Sequence, residues 1–272
     1  MFYGCSSLKL TGVTDTPDLV GITSLTNMFG ACGNITTINN LNSWDISSVT
    51  NVTQLFYGCT LFDQNITWDF SNVNTMTGMF NYATSFNQNI GNWNVSGVTN
   101  MSYMFLNATS FNNGGSGDIG NWNTLSLNNT SYMFMSTSFD QNIGGWNVSG
   151  VTDMSYMFFD NPSFNNGGSD SIGNWNTQSL VNTQQMFWHS TSFNQNIAEW
   201  NVSNLQLANG MLDDCGMSQQ NYESLLIQWS TLPLQSNVPL GANNLYYSNS
   251  PCPAYVARNY MSTNYYWNFN GD

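Results

Sequence analysis

Apolar residues recur along this chain in a fixed order, with polar residues filling the intervals. The dipeptide Met-Phe marks the phase at Met1-Phe2, Met28-Phe29, Met79-Phe80, Met104-Phe105, Met133-Phe134, Met157-Phe158 and Met186-Phe187. Degenerate copies stand at Leu55-Phe56 and Met211-Leu212, and the successive steps are 27, 27, 24, 25, 29, 24, 29 and 25 residues. A tryptophan column at positions 44, 68, 93, 122, 146, 175 and 200 repeats the same steps from Leu55 onward. The cleanest unit, Met79 to Tyr103, reads MFNYATSFNQNIGNWNVSGVTNMSY. Its Phe-Asn-Gln-Asn-Ile segment (86–90) returns at 62–66, 139–143 and 193–197, with Asp for the first Asn in the first two of these. Both 29-residue steps arise from a four-residue expansion at one phase, Asn113 to Asp118 and Asn166 to Ser171.

A period near 25 lies in the 20–29-residue range of leucine-rich repeats, whose units are too small to bury an apolar face alone and stack to form one continuous core. Within a unit, Thr99 is placed to cap a helical turn whose inner face carries Met101, Met104, Phe105 and Ala108 at i, i+3, i+4 and i+7. Phe86 to Ile90 suits a short strand with both apolar ends inward, and Gly91 with the following asparagines makes the turn. The fold expected is an α/β repeat solenoid: a leucine-rich-repeat-like right-handed coil of short strands and short helical turns. About eight repeats fill residues 1–215. The period lapses from Gly216, where Gln219 to Trp229 is patterned as an amphipathic helix and 251–272 is rich in aromatics, so 216–272 is expected to be a C-terminal cap. Met79, Phe80, Phe86, Ile90, Trp93, Met104, Phe105, Trp122, Trp146, Trp175 and Trp200 are the expected core columns.

The order Met-Phe-x-x-(Ala/Cys)-x-Ser-Phe-Asn-Gln-Asn-Ile-Gly-Asn-Trp-Asn-Val-Ser-x-Val-Thr-Asn-Met resembles the repeat of BspA-like leucine-rich-repeat surface proteins over about residues 1–212. Asn221-Tyr222, Leu225 to Ile227, Trp229, Ala257-Arg258 and Trp267 are similar to the end piece of such proteins. The resemblance implies a secreted or surface-displayed adhesive solenoid, of a kind found on bacteria and protists and, as similar repeats, in large viruses. It implies a role and no particular ligand. Met1 to Cys5 matches Leu55 to Cys59 in register, so the numbering opens in mid-repeat and the chain is expected to be part of a longer polypeptide.

Charge narrows the functions. Of 272 residues only 17 are formally charged, fifteen acids against Lys9 and Arg258, and His189 is the single histidine. Phosphate backbones need Lys and Arg for neutralisation, which excludes a nucleic-acid groove. The net charge of −13 opposes an anionic membrane surface, and no apolar run reaches the ~20 residues of a membrane-spanning helix. One histidine leaves little for acid–base or nucleophilic catalysis, so no enzyme and no cofactor is expected. Asparagine instead supplies 44 residues, giving a surface wetted by amides and hydroxyls.

The expanded loops are the candidate ligand sites: Asn113, Gly114, Gly115, Ser116 and Asp118 in one, Asn166, Gly167, Gly168, Ser169 and Asp170 in the other. Asp118 and Asp170 are potential calcium ligands, although tandem calcium-binding glycine repeats recur every nine residues and Gly114 to Asp118 stands alone. The alternative is a tolerated surface insertion. The tryptophan column is read either as a sugar-stacking platform or as a core ladder. Cys5, Cys32, Cys59 and Cys215 share the phase of Ala83 and Ala108, which reads as a small buried column. Cys215 with Cys252 is the disulfide candidate, tying down the cap, and with no CxxC pair no metal site is expected. Asn51, Asn94, Asn100, Asn107, Asn147 and Asn201 open Asn-x-Ser/Thr sequons.

The leading functional expectation is a non-enzymatic adhesion or recognition module, extracellular or on a cell or virion surface, whose partner is a protein or glycan on another surface. A structural spacer or fibre subunit is the alternative. Ice binding through Thr50, Thr99 and Thr152 is disfavoured because Asn74, Asn128, Val181 and Gln206 break the threonine column.

Overall fold

A computed structural model describes residues 2–248 and 252–272; Met1, first of the Met-Phe markers, and residues 249–251 of the expected cap lie outside the described residues. The chain winds through successive coils joined by single parallel bridges. These run Ser24–Asn51–Thr75–Asn100–Asn129–Asp153–Asn182–Leu207, so the rungs are 27, 24, 25, 29, 24, 29 and 25 residues apart.

Between rungs the backbone divides its donors in alternation. The N–H groups of Met101, Tyr103, Phe105 and Asn107 donate to the carbonyls of Asn129, Ser131, Met133 and Met135 on the next coil, at 2.8–3.0 Å. Met104, Leu106 and Ala108 donate three residues back, to Met101, Tyr103 and Phe105. The expected helical turn is therefore a run of tandem β-turns. Its cause is the left-handed backbone at Tyr103 (φ 60°) and Asn107 (φ 56°), which an α-helix does not tolerate. The same pair of positions is left-handed at Tyr132/Ser136, Tyr156/Asp160 and Gln185/His189. Met101, Met104, Phe105 and Ala108 still point inward and are fully buried, because a three-residue turn repeat sorts side chains much as a helix does.

No strand forms at Phe86 to Ile90. Side chains take the place of carbonyls there. The Asn or Asp after each inward Phe accepts, through a side-chain oxygen, the N–H of its counterpart one coil later: Asp63 from Asn87, Asn87 from Asn112, Asn112 from Asp140, Asp140 from Asn165, Asn165 from Asn194, and Asn194 from Ser218, at 2.7–3.0 Å. Gln88, Gln141 and Gln195 add their side-chain N–H to the same acceptors. Other asparagines close local turns; Asn94, Asn100, Asn147 and Asn201 each accept the N–H two residues on.

The core is a double stack of phenylalanines. Phe29, Phe56, Phe80, Phe105, Phe134, Phe158 and Phe187 follow one another with ring centroids 5.6–5.8 Å apart. Phe62, Phe86, Phe111, Phe139, Phe164 and Phe193 form the second stack at 6.0–6.4 Å. The tryptophans bind the corner of each coil to its predecessor. Their indole N–H groups donate to a backbone carbonyl of the coil before: Trp68 to Leu41, Trp93 to Ile66, Trp122 to Ile90, Trp146 to Ile119, Trp175 to Ile143 and Trp200 to Ile172, at 2.7–3.3 Å. The coils meet so closely at this corner that a Cβ on Gly120 or Gly173 would collide with the carbonyl of Asn142 or Asn196.

The stack does not stop at residue 215. Leu240 bridges Ala208, and β1 (Pro239–Gly241) pairs in parallel with β2 (Asn268–Asn270), adding two rungs. Helices α1 (Gln219–Trp229) and α2 (Pro253–Tyr265) replace the Phe-to-Trp segments of these last coils and pack on each other. Ser218 caps α1, whose Tyr222, Leu225, Leu226 and Trp229 are buried. Trp267 donates to the Gln235 carbonyl, in the manner of the tryptophan column. The region expected as a cap after a lapsed period thus keeps the coil geometry while changing its sequence. Asp272, with its side chain buried, holds Arg258 through two bonds (2.7 and 2.8 Å) and accepts from the Tyr222 hydroxyl.

Candidate functional site

The expanded loops are built into the stack. Asn113 and Asn166 are fully buried, and their side-chain oxygens accept the N–H of Ile90 (2.8 Å) and Ile143 (2.9 Å) on the preceding coil. Gly114 and Gly167, both left-handed, donate their N–H to Asn87 and Asp140, supplementing the side-chain ladder where these coils lack glutamine. Ser116 and Ser169 cap the short 3-10 segments Gly117–Asn121 and Asp170–Asn174. Gly115, Gly168, Asp118 and Asp170 remain exposed. Asp118 accepts from the Asn89 amide at 3.2 Å. Each loop brings one carboxylate, and no group of three His, Cys, Asp or Glu side chains comes together among the described residues.

The Cys215–Cys252 disulfide expected from the sequence is not formed; both thiols are free. Cys252 caps α2, its Sγ donating to the Ser248 carbonyl (2.8 Å) and accepting the Tyr255 N–H. Cys215 packs against the core of its own coil, where burial pushes its thiol up to about 12. Cys32 and Cys59 are fully buried and donate to the carbonyls of Phe2 and Phe29. Trp93, Trp122, Trp146, Trp175 and Trp200 are at most 6% exposed and ring-stacked or edge-packed, with their N–H groups engaged, which removes them as sugar platforms.

A different set of aromatics faces outward. Tyr103, Tyr132 and Tyr156, each one residue before a buried Met, stack face to face with centroids 4.6 and 4.4 Å apart and planes within 10°. Phe159 and Trp188, each two residues after a Met, continue the strip in a second column, stacked at 4.4 Å. Tyr82 is 47% exposed and meets Tyr57 edge-on. Beside Trp188, His189 pairs with Asp160 at 3.0 Å, and the Gln184 amide donates to the Tyr156 hydroxyl. The sequence reading missed this strip because these columns hold other residues in other coils.

The backbone beneath the three tyrosines is costly. All three have φ between 57° and 60°, a region in which a bulky L-residue pays roughly 1–2 kcal/mol. Other coils place Asn27, Gln54, Gly78, Gln185 or Gly210 at this phase, with the same positive φ. Burial pushes the Tyr132 phenol up to about 12, and the neighbouring Tyr156, Tyr103 and Asp153 act in the same direction. Tyr132 therefore stays neutral at ordinary pH, and the carboxylates of Asp153 and Asp160 stand beside the strip. The strip offers aromatic contact and hydrogen bonding through phenol hydroxyls.

Comparison with known proteins gives one family. A family model described as Mycoplasma protein of unknown function, DUF285, matches twice in succession, over residues 23–117 and 114–225. No curated protein and no solved structure matches the chain.

Proposed function

The chain belongs to the DUF285 family as a protein of tandem repeats, and from that premise we propose that it is a non-enzymatic adhesion or recognition module, secreted or displayed on a cell or virion surface. The architecture we assign it is a leucine-rich-repeat-like solenoid, in keeping with the resemblance to BspA-like surface proteins. The observation that carries the reading is the tyrosine stack. Nearly every other recurrent side chain has a structural task inside the coil or between coils. Tyr103, Tyr132 and Tyr156 instead occupy outward positions on left-handed backbone, which other coils fill with Gly, Asn or Gln. Residues held on strained backbone cluster at working surfaces, and aromatic residues are the commonest anchors of protein interfaces. The ligand is a protein or glycan surface that is neutral or basic, since the ridge lies in a chain of net charge −13.

Binding of the chain to cell surfaces, matrix proteins and a glycan array tests this. At least one class binds, and replacing all three tyrosines with Asn weakens that binding at least about tenfold. Absence of binding across the whole set, or binding indifferent to the three substitutions, overturns it. The spacer reading is favoured by one observation, the unbroken run of bridges from Ser24 to Leu207, which makes a stiff connector. Deleting two coils then shortens the assembled particle or stalk without changing what it binds.

A further inference from the structure

One coil is shorter than its neighbours at a single place. Ile90, Ile119, Ile143, Ile172 and Ile197 are each followed by a Trp three residues on; Ile66 is followed by Trp68, with Thr67 alone between. The deletion changes the local bonding. In later coils the Asn before the Ile closes a turn: Asn89 accepts from Gly91, Asn142 from Gly144 and Asn196 from Ala198, at 2.9–3.0 Å. In the short coil the Thr67 N–H goes to the Asn42 side chain on the preceding coil instead. The Asn65 amide is thereby released from its turn. Between this coil and the next a cavity of about 340 Å³ opens, within the roughly 300–1,000 Å³ range of small-molecule sites.

Its lining is uncharged, as is that of a cavity of about 300 Å³ beside Trp146 and Trp175. Asn65, Gln88, Asn89 and Asn92 supply amide groups and Thr67 a hydroxyl, with the nearly buried Trp68 and Trp93 beneath. No ionisable side chain lines it. Gln88 spends its side-chain N–H on Asp63. Its carbonyl oxygen, both amide groups of Asn65 and Asn92, and the Thr67 hydroxyl have no protein partner among the described residues. The cavity therefore offers several unspent donors and acceptors, no charged side chain, and two flanking tryptophans. No charged side chain lines the cavity itself; Asp63 and Asp118 are held beside it by Gln88 and Asn89. A neutral molecule carrying several hydroxyls around a small apolar ring meets each of these groups.

We propose that this cavity is a binding site for one neutral pyranose unit, free or within a glycan, held by hydrogen bonds to Asn65, Asn92, Thr67 and Gln88. The site is independent of the tyrosine ridge and stands whether or not that ridge binds a partner. The same chemistry can come from a free sugar or from a residue of a surface glycan, and the test separates them.

Saturation-transfer NMR on the full chain with neutral hexoses, N-acetylhexosamines and a short neutral oligosaccharide is the measurement. At least one sugar receives saturation. Inserting a glycine between Thr67 and Trp68 restores the spacing of the other coils and abolishes the signal. Because that insertion disturbs a core corner, the surface variant Asn65→Ala with Asn92→Ala is measured too; losing two neutral hydrogen bonds weakens binding at least about tenfold. Saturation of oligosaccharide alone assigns a glycan as ligand, and saturation of a monosaccharide assigns a free sugar. No saturation from any sugar, or saturation unchanged in the double variant, overturns the proposal. Neither result bears on the tyrosine variants, so failure here and failure of the recognition reading are distinguishable.

Discussion

The side-chain oxygen of Asn112 accepts the backbone N–H of Asp140 at 2.9 Å, across one full coil of the chain. The same oxygen takes the Gln141 side-chain N–H at 2.9 Å. Asn112→Ala leaves two donors at a tightly packed contact without their acceptor. A loss of about 1–3 kcal/mol is expected. Asn112→Asp keeps an acceptor, as Asp63 and Asp140 do at this phase, and retains most of that stability. Denaturant midpoints of the two variants check the contrast; equal destabilisation by Ala and Asp would show that the ladder contributes little.

The tryptophan column supplies its own internal comparison. Trp146 donates to Ile119, whereas the buried N–H of Trp44 has no partner among the described residues. Changing either to Phe removes similar ring volume, but only Trp146→Phe also removes a hydrogen bond, leaving the Ile119 carbonyl with the Trp122 N–H alone. Trp146→Phe should therefore cost about 1–2 kcal/mol more than Trp44→Phe. Paired melting or urea titrations measure the difference.

Tyr103→Asn exchanges one stacked contact, worth about 0.5–1.5 kcal/mol, for relief of left-handed strain of similar size. Stability should stay within about 1 kcal/mol of the parent while ligand capture falls. A large loss of stability on chemical unfolding would make the stack a structural element and remove its case as a recognition surface.

Alkaline pH should weaken the fold in a defined window. Burial raises the Cys59 thiol from 9.0 to about 12, with Cys32 adding to the effect, and the Tyr132 phenol rises from 10.0 to about 12. Above pH 9 the unfolded chain gives up these protons while the folded chain keeps them, so stability declines as pH rises through 9–12 and is fully present below 9. Cys59→Ala, the residue found at this phase in Ala83 and Ala108, should flatten the decline at its lower end. Urea midpoints across pH 8–11 report it.

How much of this was legible beforehand differs by feature. The repeat steps were open to view because Met, Phe and Trp hold their columns in nearly every coil, and the same steps separate the bridges. The helical turn was misread because Met101, Met104, Phe105 and Ala108 fit a helical face equally well. Only the left-handed backbone at Tyr103 and Asn107 distinguishes tandem turns, and neither residue type announces it. Asn113 and Asn166 looked like loop-tip ligands because a Gly-rich expansion suggests exposure; their burial follows from an N–H on the preceding coil, which sequence spacing does not reveal. Cys252 suggests a bond to Cys215 that ties down the cap, whereas its thiol serves as a helix cap, a role that spacing does not reveal. The tyrosine ridge went unseen for the opposite reason to the tryptophans: its columns vary.

Each indole N–H from Trp68 to Trp200 donates only to the coil immediately before it. A coil's attachments therefore depend on its neighbour's backbone and not on its own ordinal place. A gene encoding such a protein can gain or lose whole units by in-frame exchange, and the joined coils find the same acceptors they would have had. Length becomes a heritable variable that leaves the stability of each junction nearly unchanged, while the outward columns are free to diverge from copy to copy.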